Sequence, residues 1–240
     1  MTWRLALDTA SELGSVAVGR GDNPVATVML PPRSHARHLV PAMATCLRML
    51  GIGYDDLTEI VLADGPGSFT GLRIGAATVQ GVLAAHPCEF WVAPSMMGLA
   101  WGAARHADDT VAVLYDALRG DVFAAIYQFA DGNVIAHTEP ILVSAGELQR
   151  CARVRPTVVL GDGARAHADV IEAWAGTRPL GANRSVPRAE YLLPLVGMAG
   201  GARRITDATV FEPVYGRAAE AQVRWERQHG RRLPDSSAEA

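Results

Sequence analysis

A chain of 240 residues, 49% of them hydrophobic, has apolar material for one large core or two small ones, and its three cysteines, Cys46, Cys88 and Cys151, are too scattered for a disulfide framework or a CxxC zinc site. The formal net charge is −3 and all 22 basic residues are arginine, so the chain lacks the basic excess of a nucleic-acid binder and has no lysine for a phosphate loop or a Schiff base. Mean hydropathy is +0.11, yet there is no run of about 18 apolar residues and no signal-peptide pattern at the start, which gives the expectation of a cytoplasmic chain with no membrane span.

Residues 3–8 are short, apolar and strand-like. Residues 14–19 and 25–30 read as two more strands around the turn Gly21-Asp22-Asn23-Pro24, so the chain opens as an antiparallel meander. Pro31-Pro32-Arg33 breaks it, and Ser34 is placed to cap a helix on which Leu39, Met43, Cys46, Leu47 and Leu50 recur at helical spacing. Residues 60–63 form a short strand. The glycine-rich run from Gly65 to Gly71 follows, then a helix over 72–85, a strand over 89–92 and a helix over 95–106.

A second meander is expected at 111–115, 122–129 and 134–138, then a helix over 144–152, a strand over 157–160 and a helix over 164–175. Residues 187–203 read as a late helix that Pro194 can kink. The order β-β-β-α-β-α thus occurs twice, without sequence identity between the halves. This is the plan of the α/β actin-like ATPase fold, which is ribonuclease H-like and shared by sugar kinases and Hsp70-type proteins. The expected division is an N-terminal lobe at 1–106, a C-terminal lobe at 107–216 and a charged, partly disordered tail at 217–240, with an exposed helix at 218–229.

Four places hold residues able to do chemistry. Gly65-Pro66-Gly67-Ser68-Phe69-Thr70-Gly71-Leu72-Arg73-Ile74-Gly75 leads into a helix N-terminus, where free N–H groups can meet an anion; a tight turn that binds nothing is the other reading. Asp8-Thr9-Ala10-Ser11 offers an acid and two hydroxyls, or a plain hairpin loop. His35 and His38 are spaced to share a metal, but Asp55, Asp56 and Asp64 lie far along the chain, so His35 at a helix N-terminus and His38 as a surface or interface side chain is the better reading. Gly161-Asp162-Gly163 between a strand and a helix is a turn with or without a ligand. His137, Ser144 and Cys151 lie in unrelated elements and make no nucleophile–base set.

The run from Gly65 to Gly75 is similar, at every residue, to the GPGSFTGLRIG signature of the TsaB (YeaZ) family. Leu5 to Ser11 resembles that family's opening strand and loop. His35 to Pro41 resembles its H-S-E-x-L-x-P, with Ala36 and Arg37 as departures. Asp116 to Phe123 resembles its DARxGEVY, with Leu118, Asp121 and Phe123 as departures, and Pro213-Val214-Tyr215 its late P-x-Y. The resemblance spans about residues 3–216.

It implies an actin-like fold whose phosphate loop, Asp8, Thr9 and Ser11, is vestigial. It implies no catalytic residue, no resident metal and no tightly bound cofactor, with a nucleotide possible at a complex interface. The catalytic paralogue TsaD carries an HxxxH metal pair; Ser95 and Leu99 stand at the corresponding positions here, and leucine offers a metal no lone pair. The implied role is that of a scaffold in the complex that puts threonylcarbamoyl on the adenosine beside the anticodon of ANN-decoding tRNAs. TsaD is the expected partner, with TsaE in the full complex, a homodimer when alone, and tRNA only through the complex. The alternative is an active metal- or ATP-dependent transferase or an M22-type peptidase.

The helix over 71–85 has Arg73 as its one charge and looks apolar on every side, so part of it should face a partner. The expected partner surface joins Ser34, His35, His38, Leu39, Met43 and Leu47 to Leu72, Ile74, Gly75, Ala76, Val79 and Val82, with small residues allowing close helix approach.

Overall fold

The computed structural model describes residues 2–216; the tail expected at 217–240 lies outside the described residues. In chain order the strands and helices are β1 (Trp3–Asp8), β2 (Ser15–Arg20), β3 (Asn23–Met29), α1 (His35–Leu50), β4 (Leu57–Ala63), α2 (Phe69–Ala85), β5 (Glu89–Ala93) and α3 (Ser95–Ala103). There follow β6 (Val111–Asp116), β7 (Asp121–Ala130), β8 (Asn133–Ser144), α4 (Leu148–Cys151), β9 (Val158–Leu160), α5 (Asp162–Ala166), α6 (Ala168–Ala175) and β10 (Arg203–Ile205).

The strands build two sheets, ordered β10-β5-β4-β1-β2-β3 and β8-β7-β6-β9. In each, a meander of three antiparallel strands is extended by a parallel strand beside its first member: β4 beside β1, and β9 beside β6. This doubled plan is the actin-like ATPase fold.

Strand alternation divides the apolar residues into three cores. Leu5, Leu7, Val16, Val18, Ile60 and Leu62 face α1 and α2. The intervening Ala6, Ala17, Val61 and Ala63 face α3 and join one continuous cluster with Val113, Tyr115, Ala125 and Tyr127 of the second sheet. The far side of that sheet, through Ala112, Leu114, Val122 and Ala124, packs on Leu148, Ala164 and Ile171. The middle cluster belongs to both sheets at once. Among the described residues no helix is long and apolar enough to cross a membrane.

The late helix expected over 187–203 does not form. Two short 3₁₀ turns, Ala189–Leu192 and Pro194–Gly197, replace it, and the segment ends in β10, which joins the first sheet beside β5. Pro194 has no N–H to donate, and Gly197, Gly200 and Gly201 weaken a helix further. The segment also buries Ala189, Leu192, Leu193 and Leu195 against the middle core. The buried Arg4 ties this wedge down, pairing with Glu59 at 2.7 Å and Asp22 at 2.8 Å and donating to the Leu193 carbonyl.

Elsewhere α3 stops at Ala103, short of 106, where Asp109 Oδ2 accepts the amides of Arg105 and His106. The helix expected over 164–175 is broken at His167, and that over 144–152 shrinks to a 3₁₀ turn and α4.

Leu192→Ala removes a fully buried side chain from the wedge and should lower stability by about 2–5 kcal/mol, read as a fall in the urea midpoint. Val210→Ala, at a position 74% exposed, should stay within about 0.5 kcal/mol.

Candidate functional site

β1 delivers Asp8 to the edge of the middle core. Its Oδ1 accepts the Ala10 amide at 3.0 Å, and its Oδ2 accepts the Ser95 hydroxyl at 2.7 Å. Because that hydroxyl donates to Asp8, the Tyr115 phenol donates to Ser95 Oγ, at 3.1 Å. Asp8, Ser95 and Tyr115 are all buried. Burial raises the Asp8 carboxyl above the usual range, against the lowering effect of Ser95 and Ala10. It also raises the Tyr115 phenol, and the nearby Asp8 charge adds to this. Thr9 is buried with Oγ1 unpartnered, and Ser11 Oγ donates to the Leu13 carbonyl.

The signature run closes over this loop. Ser68 caps α2, its hydroxyl accepting the Gly71 amide, while its own amide donates to the Ala10 carbonyl at 2.7 Å. The Gly65 carbonyl accepts the Ser95 amide, and the Asp64 carbonyl accepts the Val214 amide. A Cβ at Gly71 would run into the Thr9 carbonyl oxygen, and one at Gly75 into Thr9 Oγ1. These glycines therefore let α2 lie directly on the 8–11 loop.

Of the two readings of this turn, an anion would have to compete with contacts already made inside the chain. On the solvent side, Phe69 packs on Tyr215 at 4.5 Å between ring centroids, and the Arg73 guanidinium lies over Phe69 at 5.4 Å. That Tyr215 returns to the signature loop was missed from the sequence, where only the P-x-Y spacing could have pointed to it. Gln80 was missed too; its amide holds the carbonyls of Ala208 and Phe211.

Ser95 and Leu99 sit one turn apart at the start of α3, and Leu99 is buried in the middle core. At the other turn, Asp162 Oδ1 accepts the amides of Asp116 and Gly163, so one of its carboxylate oxygens already serves the local fold. Ser34 stands at the N-cap of α1, but its hydroxyl donates back to the Pro31 carbonyl and caps nothing. His35 is buried with Nε2 unpartnered, and burial lowers its pKa. His38 is half-buried. Among the described residues no three of His, Cys, Asp and Glu gather as a metal site would require.

The residues expected at a partner surface need correction. His35, Leu39, Met43, Leu47, Leu72, Gly75, Ala76 and Val79 are buried within this chain, and a side chain sealed by its own sheet cannot touch a partner. Ser34, His38, Ile74 and Val82 are half-buried. The outward residues are Ala36, Arg37, Val40, Pro41, Arg48 and Met49 on α1, and Thr70, Arg73, Ala77, Gly81, Ala84 and Ala85 on α2. The helix looked apolar nearly all round because, beyond Thr70 and Arg73 in its first turns, its outer face is built of alanine and glycine.

Gly75→Ala should destabilise the chain by about 1–3 kcal/mol, since Thr9 or the helix must shift. Gly81→Ala, on the same helix with nothing within 4 Å of the added carbon, should stabilise by about 0.5–1 kcal/mol. Urea denaturation of the two variants tests the opposite signs.

Asp64, at the start of the same loop, is raised by burial to about 6, with Arg203 at 3.6 Å opposing the shift. The folded chain thus keeps a proton that an unfolded aspartate loses near its model value of 3.8. Between these values the folded state binds more protons, so this group's share of stability falls as pH rises through that window and is constant above it. The share is at most about 3 kcal/mol. Asp64→Asn should remove it: the variant's midpoint should gain on the parent's from about pH 4 to about 6, and gain no more beyond.

Residues 29–157, more than half the chain, match the family model of TsaD, described as tRNA N6-adenosine threonylcarbamoyltransferase. The tRNA threonylcarbamoyladenosine biosynthesis protein TsaB of Bacillus subtilis is 29% identical over 227 residues, covering 92% of this chain and 96% of that protein. Its Escherichia coli counterpart is 31% identical over 232 residues, covering 95% and 98%. YeaZ from Pseudomonas aeruginosa superposes with a TM-score of 0.71 at 26% identity, covering 89% of this chain and all of that one. With the signature loop seated on Asp8-Thr9-Ala10 inside an actin-like fold, the chain belongs to the TsaB (YeaZ) family, within the wider group that the TsaD model describes.

Proposed function

We propose that this chain is a non-catalytic supporting subunit in the making of threonylcarbamoyladenosine in tRNA, and that it docks TsaD with the outer faces of α1 and α2. The observation that carries the reading is the use of Asp8. Its carboxylate is buried and accepts from Ser95 and Ala10. The TsaD-type metal ligands would stand at Ser95 and Leu99; one is the hydroxyl bonded to Asp8, and the other is a buried hydrocarbon. The acid, the hydroxyl and the helix start of a catalytic relative are here spent on holding two sheets together.

The docking face follows from burial. α1 exposes Val40 at 54% and Met49 at 68%. The outer stripe of α2, Ala77, Gly81 and Ala84, is small enough for another helix to come close. Apolar surface on adjoining helices is the usual mark of a protein contact. The TsaB names of the relatives and the TsaD family match support a partner from the same pathway. TsaE would join the full complex, and tRNA would be met only there.

Ala77→Arg should leave a folded, soluble chain that binds TsaD at least about 100-fold more weakly, because a charge is forced into a dry contact. Val79→Arg points into the core and should unfold the chain. Pull-down against the host's TsaD, with circular dichroism on each variant, separates these effects. In a reconstituted assay the chain alone should transfer no threonylcarbamoyl and hydrolyse no ATP, and Ala77→Arg should depress transfer by the TsaD mixture. Transfer by the isolated chain, or full activity with Ala77→Arg, would sink the reading.

A further inference from the structure

From β10 the chain returns beside α2 to the signature loop, and both ends of this return meet one residue. At its start, Arg203 Nη2 lies 3.6 Å from Asp64 Oδ2. At its end, the Val214 amide donates to the Asp64 carbonyl at 2.7 Å. The Val214 carbonyl lies so close to Gly65 that a Cβ there would strike it. Residues 203–214 are thus a strap closed on Asp64. The strap is lightly held. β10 is three residues long, and Arg204 pairs with Glu89 of β5 at its surface. From α2, Gln80 holds the carbonyls of Ala208 and Phe211, and the Phe211 ring meets Phe90. Between 203 and 214 only Phe211 and Pro213 are buried. Sparse burial and little regular structure mark a segment that can open while the core stays shut.

Under the strap the Asp64 carboxyl is sealed, its side chain 8% exposed. Arg203 is its ion-pair partner, but 3.6 Å is too long for a hydrogen bond. A carboxylate held in this way lacks bonds that water would give it. The Tyr127 phenol of β7 also feels the Asp64 charge, and burial holds that phenol neutral, well above its usual range. Arg73 of α2 and Glu212 of the strap act on Tyr215, the next residue along the return. We propose that the strap at 203–214 is a latch governed by the charge on Asp64: it lies shut over the neutral carboxyl and opens more readily once the carboxyl is ionised. Solvation sets the direction. Lifting the strap takes Arg203 and Val214 off Asp64 and admits water, which favours the charged form. With the strap shut, burial raises the carboxyl to about 6 from its usual 3.8, and Arg203 opposes the shift. Between those values the shut state binds more protons, so rising pH favours the open state there and adds nothing above. Opening would bare Phe90 and the flank of α2 at Gln80, and leave the seam between the two sheets intact.

Hydrogen exchange of the Val214 amide reads this opening. It is followed by NMR on the full chain from about pH 4.5 to about pH 7.5, with the intrinsic rate divided out, and the β6 amides report opening of the core. Val214 should be at least about tenfold less protected than β6 at every pH. Its protection should fall about tenfold from pH 4.5 to about 6.5 and change little beyond. Asp64→Asn should flatten that profile. Arg203→Gln should lower Val214 protection severalfold above about pH 6 and hardly at about 4.5, because the guanidinium favours only the charged carboxyl. If Val214 is as protected as β6, the strap opens only with the whole chain and the proposal is overturned. It is also overturned if protection in the parent holds steady or rises with pH, if Asp64→Asn keeps the fall, or if Arg203→Gln acts equally at every pH.

Discussion

The Ser95 hydroxyl donates to a carboxylate at the end of β1 and accepts from a phenol on β6. One strand from each sheet and the helix α3 meet at one buried oxygen. Each group would lie dehydrated and unpaired if its neighbour moved, at a cost of about 1–3 kcal/mol, and more for the charged one. A slip of β1 or β6 by one residue would turn its side chain to the opposite face. The register of each strand against α3 is therefore tightly specified. Ala6, Ala17 and Ala63 complete the arrangement, because small side chains on this face let α3 and the wedge at 189–195 lie close to the sheet.

It follows that the space between the lobes is core. One apolar cluster runs from Val61 of the first sheet through Met96 and Leu99 to Val113 and Tyr127 of the second. Closure of two lobes around a ligand needs a seam that can open. Opening this one would expose a core and break the chain of hydrogen bonds through Ser95. Such a molecule is suited to hold a fixed shape, as the supporting role proposed above would require.

Much of this fold could be read from the sequence, because alternation and turn chemistry report local geometry directly. The meander from β1 to β3, the strand–loop–helix around Gly65 and the second meander all follow from side-chain period and glycine placement. The wedge at 187–203 was misread because Leu192, Leu193 and Leu195 look like a helical face until both sheets are in place to claim them. The direction of α2 was misread for another reason. After Arg73 its outer side is alanine and glycine, which carry no polar signal, so one charge was all that marked which face met solvent. The roles of Asp8 and Ser95 were only half legible. Their positions resembled a phosphate loop and a ligand site, but a contact 87 residues apart in the chain leaves no local trace.

The inner and outer faces of α2 are linked through the 8–11 loop. Gly71 and Gly75 rest on Thr9, so the 8–11 loop sets the height of the helix above the sheet. The hydrogen bond from the Ser68 amide to Ala10 sets its start. Gln80 and the Phe211 ring, which meets Phe90 edge-on at 5.1 Å, pin the returning chain beside it. A bound phosphate here would have to compete with the loop for these same contacts, and any displacement would move α2. On the proposed reading, filling the old ligand site from within is what fixes the position of the docking helix. This gives the signature glycines a physical role without a ligand: they allow backbone to lie on backbone, and a side chain at Gly71 or Gly75 would lift the outer face away from the place where a partner meets it.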